Sequence, residues 1–232
     1  SQDTTNYGMD IYGERKLADL LEAIDNKLPD GTRMRLLYMH PDHITDELLD
    51  RMTKLRHFVP YFDLPFQSAS KNILQRMGRK GDRTTYLELL ARIRQRFENA
   101  VIRSTFIVGF PGETVEDVKE TLKFIEHAGM EWVGAFTYSP EENTPAALME
   151  DQIDEEVKSE RRDELMELQQ AIAFEKAESM VGRRMEAVIE GYLPSDRVYV
   201  ARTYMDAPNV DGYAFVHADR ELMTGDFVTI KI

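Results

Sequence analysis

The sequence predicts an α/β fold followed by a small all-β unit, and three observations carry that prediction. Short apolar runs alternate with amphipathic stretches at a spacing of about 30 residues, the length of a βαβ unit. The stretch Ala100–Thr114, AVIRSTFIVGFPGET, is a near-continuous apolar strand that runs through a Gly-Pro-Gly turn into a helix. After Met180 the pattern changes to short alternating strands broken by Gly191, Asp211-Gly212 and Gly225. The expected organisation is a parallel-stranded unit over 1–150, a linking helix over 151–180 and a compact antiparallel barrel over 181–232, similar to an oligonucleotide/oligosaccharide-binding fold.

Taken in order, Leu17, Leu20, Leu21 and Ile24 have helical spacing and stop at Pro29-Asp30-Gly31. Met34–Met39 is a short apolar run and predicts a strand; Thr45 then caps a helix that turns Leu48, Leu49 and Met52 inward. Tyr61–Phe66 predicts the next strand, Ser70 caps a short helix over Lys71–Met77, and a longer helix covers about Thr84–Phe97. Beyond the central strand, Thr114 caps a helix whose first turn carries Glu116 and Asp117, matching the helix dipole. Trp132–Tyr138 predicts one more strand, and Asp154–Met180 a long charged helix with Val157, Leu165, Leu168 and Ile172 as its inner stripe. Strand, turn and helix in this alternation imply parallel strands with helical crossovers, either a doubly wound sheet or a (βα) barrel. In both, ligands bind where strands end, here His40-Pro41-Asp42, Gln67-Ser68, Gly109-Phe110-Pro111 and Tyr138-Ser139.

Composition narrows the function classes. Hydrophobic residues make up 42% of the 232 positions, and no apolar run approaches the roughly 20 residues of a membrane span. No basic, apolar leader opens the chain, so a soluble, cytoplasmic protein is expected. The chain opens at Ser1 within a motif, without an initiator Met, and is expected to belong to a longer polypeptide. There is no cysteine, which removes disulfides and cysteine-ligated metal from these residues. A net charge of -13 argues against a nucleic-acid surface over most of the molecule. It is concentrated between Glu141 and Met180, with 13 acids against 4 bases, whereas Val181–Ile232 holds 8 acids and 6 bases. Such an acidic face is either a solvated helix or a docking surface for a basic partner.

Individual residues carry more specific expectations. Arg103 sits inside the apolar strand and needs an anionic partner, a ligand or a buried carboxylate. Phe106, Phe110 and Phe136 are read as core. His40 and His43 flank a proline turn and are read as turn and cap, because no third metal ligand lies near them.

Five ordered motifs, SQDTTNYG, LPFQSAS, IVGFPGET, YSPEENTPAA and ARTYMDAPNVDG, together resemble the radical S-adenosylmethionine methylthiotransferase family over essentially the whole chain. The QDTT opening, Asp63 in DLPFQ and the DAP…DG pattern resemble its RimO-type branch, which modifies an aspartate of a ribosomal protein, more than the MiaB-type branch, which modifies tRNA. Two positions depart from that pattern. Ser68 stands where the first branch often has His, and Asn143 stands where Gly is usual, a change that Asn tolerates because it enters the left-handed region readily.

The resemblance implies a partial TIM-like barrel over 1–150 and a TRAM-like barrel over 181–232. It further implies that the cluster-binding C-x3-C-x2-C loop, the first strand and an N-terminal domain with a second cluster lie upstream, so this polypeptide alone is expected to be inactive. The implied cofactors of the parent enzyme are S-adenosylmethionine and two [4Fe–4S] clusters, with no metal held by these residues. The implied chemistry is reductive cleavage to a 5′-deoxyadenosyl radical, hydrogen abstraction from the aspartate β-carbon and insertion of a methylthio group. By resemblance, Gln2 and Asp3 border the cofactor's methionine end, and Gln67 and Ser70 face its ribose or methionine part. Arg103 suits its carboxylate. Val108, Gly109 and Phe110 offer backbone and apolar contact to the adenine, and Tyr138 lines the pocket. Asp206 and Asp211 of the last motif are the expected substrate-docking residues. The implied partners are a basic small-subunit ribosomal protein, attracted by the acidic surface, and an electron donor. A membrane is not expected and the charge disfavours nucleic acid; the alternatives are a tRNA methylthiotransferase of the MiaB type, toward which the QSAS form at Ser68 leans, and a non-catalytic module that binds a basic ribosomal protein. A barrel missing its first strand leaves an open edge, through which self-association is expected.

Overall fold

A computed structural model describes residues 2–232, and it divides into two compact units, Ser1–Ala173 and Phe174–Ile232. The division falls inside the long helix rather than at its two ends.

In the first unit, four strands β1 (Met34–Leu36), β2 (Phe58–Asp63), β3 (Val101–Val108) and β4 (Trp132–Thr137) form one parallel sheet in the order β1-β2-β3-β4. The order runs one way with no switch point. That is an arc of a (βα) barrel and not a doubly wound sheet. Helix α1 (Leu17–Asp25) precedes β1, α2 (Asp46–Met52), α3 (Lys71–Arg76), α4 (Arg83–Arg96) and α5 (Val115–Ala128) fill the connections, and α6 (Glu155–Met180) follows the last strand.

Local chemistry sets these boundaries. Thr114 and Asp117 form a reciprocal capping box at the start of α5, and Gly129 in the left-handed conformation ends it. Asp82 and Thr85 do the same for α4, one residue earlier than the sequence predicts. β2 also begins earlier and stops at Asp63. Pro65 has no N–H for the ladder, and the Ser104 hydroxyl takes over the pairing, donating to the Leu64 carbonyl at 2.8 Å while accepting from the Phe66 N–H at 3.3 Å. Asn143 adopts a positive φ of 65°, as its composition predicts.

The core lies between sheet and helices. Phe62, Phe66, Phe106 and Phe124 are fully buried, and the Phe66 and Phe124 rings meet edge-to-face at 5.1 Å. Phe106 and Phe110 are buried as expected, but Phe136 is 62% exposed because it lies on the uncovered face of β4, an edge strand. The inner stripe of α6 is also rotated from the apolar one. Lys158, Leu165 and Gln169 are buried, while Val157 is half-buried.

The second unit is a four-stranded antiparallel sheet, β5 (Arg184–Leu193), β6 (Val198–Thr203), β7 (Ala214–Val216) and β8 (Phe227–Lys231), in the order β7-β6-β5-β8. Its core is Ala187, Ile189, Ala201, Leu222 and Ile230. β7 and β8 are edges not bonded to each other, so the expected antiparallel unit has an open seam between them. No helix among the described residues is long and apolar enough to cross a membrane.

Candidate cofactor site at the strand ends

Gln67, Gly109 and Tyr138 follow β2, β3 and β4 and are brought side by side by the parallel register. The Gln67 N–H donates to the Thr105 carbonyl at 2.9 Å and its carbonyl accepts from Ile107 at 2.8 Å, while the Tyr138 N–H donates to the Val108 carbonyl at 2.8 Å. Gln67 holds a positive φ of 69°, which turns the chain out of the sheet. Phe110 packs edge-on against Tyr138 at 5.1 Å, with Ile73 beneath both.

Two polar atoms in this row are buried without a hydrogen-bond partner among the described residues, the Gln67 Oε1 and the Tyr138 Oη. Tyr138 itself is 8% exposed. Orphaned buried acceptors and hydroxyls are unfavourable by about 1–3 kcal/mol each, so these two atoms are candidates for satisfaction by a polar ligand. These residues fit an adenosyl group, with an amide oxygen and a phenol for its hydroxyls and amines and the Phe110 ring for its apolar face. They do not fit an iron–sulfur cluster. The chain has no cysteine, and no group of three or more His, Asp or Glu among the described residues is arranged to hold a metal ion.

Other expected contacts are engaged within the protein. The Gly109 N–H donates to Glu113 Oε1 at 2.8 Å, and the space above its Cα is taken by the Lys158 stem, where an added Cβ at Gly109 would lie 2.2 Å from Cγ. The role foreseen for Gly109, backbone contact with a ligand, is corrected to holding the turn closed. Val108 likewise presents its carbonyl to Tyr138. Ser70 is 4% exposed; its hydroxyl donates to Asp117 and accepts from the Ile73 N–H, so it ties α3 to α5 instead of facing a ligand. Arg103 finds its partner inside the sheet, where Nη1 lies 2.8 Å from Oδ1 of Asp63, its register neighbour on β2. That buried carboxylate fills the role that the resemblance gave to a cofactor carboxylate.

Gln2 and Asp3 stand at the β1 end of the row. Gln2 is exposed. Asp3 accepts from the Thr5 N–H at 2.9 Å and pairs with His43 Nδ1 at 3.1 Å, and His43 stacks on His40 at 4.5 Å. Burial alone would raise the Asp3 carboxyl, but the Thr5 hydrogen bonds and the two histidines hold it below the ordinary value.

Glu113, Lys158 and Arg161, which sequence reasoning did not single out, organise this end of the sheet together with Asp117, read there only as a first-turn acid. Glu113 is 6% exposed and receives Arg161 Nη1 at 2.9 Å; burial raises its carboxyl above the ordinary value despite that arginine and the Gly109 N–H. Asp117 accepts from Ser70, Thr114 and Asn72. Lys158 and Arg161 reach in from α6, and the only sequence signal for them is their spacing of seven and four residues before Leu165. Ser68, which departs from the expected His, is buried and shares a hydroxyl contact of 3.3 Å with Thr121, so it braces α5.

In the second unit, Asp206 and Asp211 are corrected as well. Asp206 is buried and accepts from the Thr203 N–H at 3.0 Å and its hydroxyl at 2.8 Å; Asp211 accepts from the Ala207 N–H at 2.8 Å. Both close the β6–β7 loop, because their side chains reach backbone donors a few residues away.

A one-way parallel sheet with helical crossovers and a half-satisfied polar row at its carboxyl ends defines an α/β protein of the barrel type. The chain belongs to the radical SAM superfamily, whose family model matches residues 3–125, more than half of its length. The TRAM domain model matches residues 181–232. Over its whole length the chain is 46% identical to the ribosomal protein uS12 methylthiotransferase RimO of Lachnoclostridium phytofermentans, covering 52% of that protein, and 44% identical to that of Aquifex aeolicus, covering 54%. The chain thus spans about half the length of the curated relatives it matches. Among solved structures, coproporphyrinogen III oxidase (HemN) of Escherichia coli superimposes with a TM-score of 0.57 at 16% identity, covering 72% of this chain and 43% of that one, a likeness of fold alone.

Proposed function

We propose that this chain is the cofactor-edge and docking portion of a cytoplasmic methylthiotransferase that adds a methylthio group to the β-carbon of an aspartate in a basic small-subunit ribosomal protein of the uS12 kind. The observation that carries the reading is whole-length identity of 46% to a uS12 methylthiotransferase, joined to the orphaned Gln67 Oε1 and Tyr138 Oη at the strand ends. When bound beside a [4Fe–4S] cluster, S-adenosylmethionine supplies the radical chemistry and the methyl group.

The chain's own residues bind and exclude. The Gln67 amide oxygen accepts from the nucleoside, the Tyr138 phenol gives it a second polar contact, and Phe110 covers the apolar face and keeps water out. The cluster thiolates and the reducing electron come from outside these residues, from other parts of the whole protein and from an electron donor. These 232 residues alone are therefore inactive. Attraction of a basic protein is supported by net charge, including the exposed Glu186, Asp219 and Glu221 of the second unit. The open edge of β1 supports self-association when nothing covers it. The tRNA reading is disfavoured by the net charge of -13, because a tRNA surface needs excess Lys and Arg against the phosphates.

The test is mass spectrometry of uS12 and of tRNA after incubation with the cluster-loaded whole protein and S-adenosylmethionine. A methylthio gain on an aspartate of uS12 is expected; a gain on tRNA alone overturns the substrate assignment.

A further inference from the structure

We infer that Lys158 is a positioning residue for the nucleoside end of the cofactor site, acting through Tyr138 and Gly109; this rests on reading the strand-end row as that site. Lys158 is 2% exposed, the only charged residue of α6 that is buried. Burying an ammonium is unfavourable unless its donors are used, and a methionine would fill the same space without that penalty. The use is specific. Nζ donates to the Tyr138 carbonyl at 3.0 Å and to Glu155 Oε1 at 2.6 Å, and it lies 5.5 Å from the centroid of the Tyr138 ring.

Tyr138 follows the last residue of β4, so its carbonyl lies beyond the strand ladder. Val108 holds its N–H at 2.8 Å and Lys158 holds its carbonyl, so both backbone ends of the residue that carries the orphaned hydroxyl are pinned. The stem of the same side chain lies over Gly109, close enough that no Cβ fits there. One residue therefore sets the pitch of the Tyr138 ring and the closeness of the Gly109-Phe110 turn, the two walls of the row. A role in folding alone is satisfied by shape; holding a carbonyl requires the amine. Glu155, 77% exposed, gives that amine an anionic partner without sealing it in.

The experiment uses the cluster-loaded whole protein with Lys158→Met and Lys158→Arg, read by amide hydrogen exchange and by equilibrium binding of 5′-methylthioadenosine and, separately, of methionine. In Lys158→Met, exchange at Gly109–Phe110 and Tyr138–Ser139 accelerates against an unchanged remainder of the sheet. 5′-Methylthioadenosine binding weakens about tenfold, the scale of one charge-assisted hydrogen bond, while methionine binding holds. Lys158→Arg, which retains a charged donor, recovers most of that binding. If the methionine variant does not fold, Lys158→Gln, too short to reach the Tyr138 carbonyl, carries the same expectation. Nucleoside binding within twofold of the unmutated protein in a folded Lys158→Met, or unchanged exchange at those amides, overturns the assignment. Equal loss of nucleoside and methionine binding also overturns it, in favour of a general structural role. Failure of the unmutated protein to bind the nucleoside overturns the reading of the row as a cofactor site, and this assignment falls with it.

Discussion

Asp63 and Arg103 face each other across paired parallel strands, their carboxylate and guanidinium 2.8 Å apart, with the carboxylate 3% exposed and the arginine 23%. The other carboxylate oxygen of Asp63 accepts from the Tyr38 N–H at 2.9 Å, so this one side chain ties together the ends of three strands. Asp63→Asn is expected to lower stability by about 2–3 kcal/mol, less than a fully buried pair because the arginine stays partly wet. Urea midpoints of Asp63→Asn, Arg103→Met and the double variant measure it; a double variant equal to the sum of the two singles means that the pair is not coupled.

Asp117 ties the loop after β2 to the start of α5. Burial alone would raise its carboxyl, yet bonds from Ser70, Thr114 and Asn72 hold it below the ordinary value. Its stabilisation is therefore present above the unfolded-state value of about 3.9 and lost as pH falls through the lower folded value. Glu113 has the opposite sign. With its carboxyl raised, its contribution is present below about 4.3 and lost as pH climbs through the raised folded value. Stability against pH should lose its acid-side fall in Asp117→Asn and its decline above that range in Glu113→Gln.

Gly109→Ala places a methyl group against the Lys158 stem at a φ of +71°. A loss of about 3 kcal/mol is expected, from overpacking and left-handed strain together. Gly13, at +74° with open space around it, isolates the strain alone, about 1 kcal/mol for Gly13→Ala. Thermal melts of the two variants separate the effects, and equal losses would contradict the packing account.

Tyr138→Phe removes a buried hydroxyl that has no partner among the described residues. Without ligand the variant should be as stable as the parent or up to about 1 kcal/mol more so. Binding of S-adenosylhomocysteine should nevertheless weaken several-fold. Calorimetry of both properties tests the trade; a destabilised variant that binds normally rules it out.

Phe106→Ala and Phe136→Ala separate core from surface. The first, fully buried, should lower stability by about 3–5 kcal/mol, and the second, 62% exposed, should change it by less than about 0.5 kcal/mol.

Much of this architecture is legible in the residues themselves. Apolar spacing locates α1, α5 and the four parallel strands to within a few residues, and Thr45, Ser70 and Thr114 mark helix starts, because periodicity and capping are local properties. The ordered motifs likewise identify the family. What the tertiary structure alone decided is where polar groups separated in sequence meet. Asp63 and Arg103 are 40 residues apart and Arg161 and Glu113 are 48 apart, and no local pattern states their register. The buried face of α6 carries Lys158 and Gln169 because the strand ends beneath it offer carbonyls, at Tyr138 for the first and Met130 for the second. Asp206 and Gly109 look ligand-facing in sequence, but backbone donors and a lysine stem take up their reach. A residue's type limits which bonds it can make, whereas burial and neighbours determine which of them it makes.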